Sequence, residues 1–177
     1  MTALRLFFAL PAPEGVRDLA AGIQRQLQGR RAALPSLDGL HLTLAFLGDQ
    51  DPARVPDLLG VARSAAAGRA PFLLETAGLG LFARSRILHL AFRPQPALDA
   101  LASDLRAGLR SLGIAFDDKP LRPHITLARM KEPVDPADLV PGPDLAFEAG
   151  EVLLYRSTPT DRGSRYESLG STSSGPA

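Results

Sequence analysis

Two strand-like runs of this chain carry the same pattern, and the repeat constrains the fold more than any other feature. His41-Leu42-Thr43-Leu44-Ala45 recurs as His124-Ile125-Thr126-Leu127-Ala128. Side chains of a β-strand alternate faces with period two. Each imidazole therefore shares a face with its threonine hydroxyl, while Leu42, Leu44, Ile125 and Leu127 occupy the other. Only three histidines occur in the sequence, and two of them stand in these repeats. A polar pair on an otherwise apolar strand costs stability unless it is paired or solvated. Two such strands brought together would present two imidazoles and two hydroxyls to one cleft.

The repeat extends past the motif. Asp51-Pro52-Ala53 follows the first histidine, and Asp135-Pro136-Ala137 follows the second at a similar distance. Aspartate followed by proline marks a helix cap and a first helical position. The histidines lie about 83 residues apart, too far for a solenoid period and suited to two similar lobes. Apolar residues at helical spacing predict helices from Pro13 to about Gln28, Asp51 to about Ala67 and Pro96 to Gly113. A shorter helix is expected at Asp135. Strands are expected at Leu4 to Leu10, Leu40 to Leu47 (ended by Gly48), Phe72 to Leu79, Arg86 to Phe92 and His124 to Arg129. Two more are expected near Phe147 to Arg156 and Tyr166 to Leu169. The expected fold class is α+β and bilobal. Two mainly antiparallel sheets, related by a pseudo-twofold axis, would flank a central cleft with helices packed outside. Residues 1–169 read as one domain and 170–177 as a disordered tail.

Composition narrows the partners. Net charge is +1, which does not by itself mark a nucleic-acid binder. Only two of the twenty basic residues are lysines, Lys119 and Lys131. Arginine suits bidentate phosphate contacts, although a GC-rich genome gives the same bias. With no cysteine, disulfides, thiol nucleophiles and thiolate metal sites are excluded. A cytoplasmic location is the expectation. The run Leu4 to Leu10 is short for a secretion signal, and Arg5 interrupts it. No apolar stretch approaches the ~20 residues of a membrane span.

Histidine, with an ordinary pKa of about 6.5, can serve as base in one copy and acid in another near neutral pH. Two imidazoles across a cleft suit an in-line displacement. One takes a proton from the attacking water, and the other gives one to the leaving oxygen. The threonine hydroxyls can donate to an anion, with phosphate the natural candidate. No metal and no cofactor is expected, since no His-x-His, cysteine or carboxylate cluster accompanies either histidine. No Gly-x-Ser-x-Gly elbow supports a serine nucleophile.

The segments Leu40 to Gly48 and Arg122 to Arg129 resemble the two signatures of the 2H phosphoesterase superfamily, in particular its RNA 2′,3′-cyclic phosphodiesterase (2′-5′ RNA ligase) branch. Leu4 to Pro11 resembles the first strand of that family, and Ser157 through Gly163 to Tyr166 its last hairpin. The resemblance implies metal-free opening of a 2′,3′-cyclic phosphate to a 2′-phosphate, with reversible 2′-5′ RNA ligation in some members. It implies catalytic His41 and His124 with substrate-binding Thr43 and Thr126, and it assigns His124 as base and His41 as acid. The implied partners are RNA with cyclic phosphate ends or small cyclic nucleotides, met by a monomer without a membrane. Arg129 stands where the family often carries arginine, but it alternates away from His124. A phosphate role there needs a twist or a bulge, and a structural salt bridge is the other reading. The family tends to place an aromatic where His89 stands, so His89 either lines the cleft or replaces one flat ring by another. Phe46 falls with Leu42 and Leu44 and is expected in the core. The remaining alternatives are a phosphodiesterase for another small cyclic phosphate or a 2′-5′ oligonucleotide, and a non-catalytic module that binds RNA ends.

Overall fold

A computed structural model describes residues 2–161 and 163–173. Its strands are β1 (Leu4–Pro11), β2 (Ala32–Ala33), β3 (His41–Gln50), β4 (Phe72–Phe82), β5 (Ile87–Phe92), β6 (His124–Met130), β7 (Ala146–Ala149), β8 (Glu151–Thr160) and β9 (Gly163–Ser173). Helix α1 (Glu14–Gln26) follows β1, α2 (Val55–Ala66) follows β3, and α3 (Pro96–Ser111) follows β5. The helices bury the predicted stripes except at Leu112, which is expected on the α3 stripe but lies just past the helix and is exposed. Val16, Ala20 and Ile23 of α1 and Leu98, Leu101, Leu105 and Leu109 of α3 all enter the core beside the strand faces that carry Leu6, Phe8, Leu42 and Ile125.

The α+β class holds, but the two expected sheets are one. Strands run in the order β7-β4-β5-β6-β3-β1-β8-β9, with β2 added on β6, and neighbours are antiparallel. The halves join where β3 meets β6, through the single pair Leu42↔Ile125. Each motif strand is laddered along its other edge, β3 to β1 and β6 to β5. The sheet thus curls at a seam one residue pair long, and the cleft opens over that seam.

Each motif strand contains the same irregularity. On β3, Thr43 pairs with Ala9 and Ala45 with Phe8, so Leu44 is an extra residue. On β6, Thr126 pairs with His89 and Ala128 with Leu88, so Leu127 is extra. A bulge of this kind inverts the alternation beyond it. Both residues of each Leu-Ala step are buried, and the residue after each step returns to the histidine face. Phe46 therefore leaves the core face expected for it and lines the cleft, as does Arg129. Strand β3 also continues past Gly48, whose φ of 68° accommodates a second shift opposite Leu6 and Phe7.

Asp51 and Asp135 accept hydrogen bonds from the Ala53 and Ala137 N–H groups, both at 2.9 Å. Each opens a 3-10 turn, Pro52–Arg54 and Pro136–Asp138. The first continues into α2, while the second stops at a single turn instead of the expected helix. The expected tail needs a correction as well. Gly170 to Ser173 belong to β9, with Thr172 paired to Val152 and only 9% exposed. Gly170 fits closely beneath a helix: a Cβ there would come within 2.8 Å of Leu59 Cδ2 on α2. Residues 174–177 lie outside the described residues. Among the described residues no helix is long and apolar enough to cross a membrane.

Candidate active site

The seam sets the site. With Leu42 opposite Ile125 in an antiparallel pair, the register one residue on sets His41 across from Thr126 and Thr43 across from His124. The two motifs are thus related by a local twofold axis. All four residues line one cavity of about 1030 Å³, together with Arg129 and Phe46. Arg5 and Phe7 of β1 and Tyr155 and Tyr166 of the β8–β9 hairpin complete its wall around His41.

Both imidazoles are held in the same way. Nδ1 of His41 lies 2.7 Å from the Gly39 carbonyl oxygen, and Nδ1 of His124 lies 2.7 Å from that of Arg122. A carbonyl only accepts, so each Nδ1 carries a proton and donates it. Nε2 is left as the nitrogen that can give or take a proton. No hydrogen bond within the described residues occupies the hydroxyl of Thr43 or Thr126.

The surroundings of the two rings differ. His41 sits among aromatics, 4.7 Å from the Phe7 ring centroid, 4.9 Å from Tyr166 edge-on and 5.8 Å from Tyr155. His124 meets the edge of Phe82 at 4.9 Å and His89 at 5.6 Å. Behind it, His89 stacks on Phe82 at 4.0 Å, and the Arg122 guanidinium lies 4.3 Å from the Phe82 ring centroid. His89 is 7% exposed and does not reach the cavity wall. Its cross-strand partner Gly80 makes room for it, since a Cβ there would fall 2.6 Å from Nε2. His89 is thus a flat ring supporting another ring, not a cleft-lining residue.

Burial pushes the pKa of all three histidines below the ordinary value, and the backbone hydrogen bond to each ring opposes the shift. Repulsion between His41 and His124 lowers His41 further. Arg122 and Arg129 add to the lowering at His124. The Tyr155 hydroxyl is pushed up by burial and by Glu151.

Arg129 reaches the cavity through the bulge, and among the described residues it forms no ion pair. The aromatic wall around His41 was not anticipated. Part of it is legible in β1, where Arg5 and Phe7 fall on the strand face opposite Leu6 and Phe8, although Phe7 is itself buried beneath the rings of His41, Tyr155 and Tyr166. Tyr155 and Tyr166 carry no such signal, because two hairpin strands bring them in. Among the described residues no three His, Cys, Asp or Glu side chains converge as metal ligands would.

An α+β sheet folded around a doubled His-x-Thr site defines a member of the 2′-5′ RNA ligase superfamily, whose family model matches residues 11–158. The RNA 2′,3′-cyclic phosphodiesterase of Escherichia coli K12 is 33% identical, over 93% of this chain and 93% of its own length. That of Geobacillus stearothermophilus is 36% identical over 73% of this chain, but the chain spans only 43% of its length. The crystal structure of TT0787 from Thermus thermophilus matches with a TM-score of 0.82 and 32% identity, over 97% of this chain and 98% of that one. Escherichia coli LigT complexed with 3′-AMP gives 0.81 and 29%, over the same shares. The chain belongs to this superfamily, within the RNA 2′,3′-cyclic phosphodiesterase family.

Proposed function

We propose that the protein hydrolyses 2′,3′-cyclic phosphate ends of RNA to 2′-phosphates, with a paired-histidine acid/base mechanism. The observation that carries this reading is the local twofold. Two imidazoles, each with Nδ1 tied to a backbone carbonyl and Nε2 left to act, face one cavity beside two threonine hydroxyls. Nε2 of His124 takes the proton of a water as its oxygen attacks phosphorus. Nε2 of His41 gives its proton to O3′ as the P–O3′ bond breaks, leaving the phosphate on O2′. Thr43 and Thr126 donate to the non-bridging oxygens, and Arg129 balances their charge. Burial and mutual repulsion disfavour protonating both rings, while an incoming phosphate anion favours protonating one of the two. The bound state is then one neutral and one protonated ring, which is what the displacement needs.

The test is to incubate the purified protein with a 2′,3′-cyclic mononucleotide in EDTA and follow the product by phosphorus NMR. A 2′-phosphate is expected. A 3′-phosphate would reverse which oxygen leaves, and no turnover would leave a module that only binds RNA ends. A substrate whose leaving group needs no proton should rescue His41→Ala far better than His124→Ala. Rescue of His124→Ala instead would exchange the two roles.

A further inference from the structure

Resting on that reading, we propose that the RNA leading to the reacting end lies on a ridge of cations outside the cavity, its phosphates held by Arg30, Arg31, Arg84, Arg86 and Lys131. Backbone hydrogen bonds bring these residues together from three separate parts of the chain. The Lys131 N–H donates to the Arg31 carbonyl at 2.8 Å, and the Met130 N–H donates to that of Arg86 at 2.9 Å. The Arg86 guanidinium donates to the Lys131 carbonyl at 3.3 Å. Arg84 and Arg86 flank the tip of the β4–β5 hairpin, where Arg86 takes a φ of 54° that keeps the turn tight. The ridge begins where the cavity ends. Ala33, Ile87 and Arg129 line the cavity wall, and both Ala33 and Ile87 pair with Arg129 in the sheet.

Charge complementarity identifies the occupant. All five side chains are exposed. Among the described residues none of them enters an ion pair, although the chain carries 19 acidic residues against 20 basic ones. Glu132, next in sequence to Lys131, pairs with none of them. The opposite mouth is mixed: Arg165 shares strand β9 with Glu167, and Glu167 lies 3.9 Å from Arg156. A row of unneutralised guanidinium groups suits a polyanion with regularly spaced phosphates. The strand is single, because its end has to enter the cavity as a free nucleotide. The preferred substrate is accordingly an RNA with several nucleotides before the cyclic end, rather than a free cyclic mononucleotide.

Fluorescence anisotropy with a labelled ten-nucleotide single-stranded RNA ending in a 3′-phosphate tests this without relying on turnover. The full-length protein should bind it at least ~10-fold more tightly than it binds a 3′-phosphorylated mononucleotide. The triple variant Arg31→Gln, Arg84→Gln, Lys131→Gln should lose most of that advantage, and the slope of log Kd against log salt should fall by about 2, since each phosphate contact on a single strand contributes about 0.7. A control with the same charge change elsewhere, Arg63→Gln, Arg110→Gln, Lys119→Gln, should keep the wild-type slope, and circular dichroism confirms that both variants are folded. Equal losses in the two triples, or an oligonucleotide bound no better than the mononucleotide, would overturn the ridge. Failure of the phosphodiesterase reading would appear separately, as a wild-type protein that binds RNA but turns over no cyclic end.

Discussion

The two halves of the site share a skeleton and differ in their walls. Strands β3 and β6 each carry His-x-Thr-Leu-Ala, each bulge at the Leu-Ala step, each fix Nδ1 on the carbonyl two residues back, and each lead to an Asp-Pro turn. After the bulge one half presents Phe46, with the Arg5 guanidinium 4.9 Å from its ring centroid, and the other presents Arg129. One imidazole rests among aromatic rings, the other beside two guanidinium groups. A repeated motif thus sets equal geometry, while residues outside it make the two imidazoles chemically unequal. That inequality is what the proposed acid and base require.

The comparison breaks most severely at the histidines. His41→Ala and His124→Ala should each lower kcat/KM on a cyclic phosphate by about 10²–10⁴-fold. In the proposed mechanism the pair acts as a unit, so the double variant should be little worse than either single one. Strictly multiplicative losses would mean that the halves work independently. Thr43→Val and Thr126→Val keep the shape and remove the hydroxyl. Each should lower kcat by up to about 10²-fold, as lost donors to the phosphate oxygens. Unequal losses would show which half meets the more highly charged oxygen.

Arg129→Phe makes the two halves alike at the position after the bulge. It should raise KM by roughly 10-fold, the loss of about 1.4 kcal/mol from one charge-assisted contact, with a smaller change in kcat. A kcat effect exceeding the KM effect would move Arg129 from binding to transition-state stabilisation.

The smallest effects concern pH. The proposed mechanism needs one neutral and one protonated ring, and both pKa values are depressed in the free protein. The kcat/KM profile should therefore be a bell whose optimum lies on the acid side of about 6.5. Stability moves the other way. Depressed histidines bind protons less readily when folded than when unfolded, so their contribution is fully present above about 6.5 and is lost as pH falls from there through the folded values. The melting temperature should drop across that window. His89→Phe, which keeps the flat ring over Phe82, should flatten the drop while changing activity only slightly. A steeper drop in that variant would show that His89 is not held neutral.

Long periodic elements were legible in the sequence, because a helix stripe or an alternating strand repeats its signal over many residues. So were the shared faces of His41 with Thr43 and of His124 with Thr126, which need only two residues of regular strand. The bulges were not. Leu44-Ala45 and Leu127-Ala128 are apolar on either face, so the pattern hides the inversion that carries Phe46 and Arg129 into the cleft. Two sheets were expected where there is one, because the join rests on the single pair Leu42↔Ile125. Gly170 to Ser173 read as tail by composition, although a glycine is what the space beside Leu59 admits at position 170.

The anchored Nδ1 atoms have a consequence beyond geometry. Each ring is left with one nitrogen able to exchange a proton, so in the proposed mechanism the active pair carries one such proton between its two Nε2 atoms. Hydrolysis moves that proton from His41 to His124 by way of substrate and water. The protein that releases product is therefore the mirror of the one that bound substrate. Before the next round it has to be reset through solvent, and until then it holds the arrangement that the reverse displacement would use.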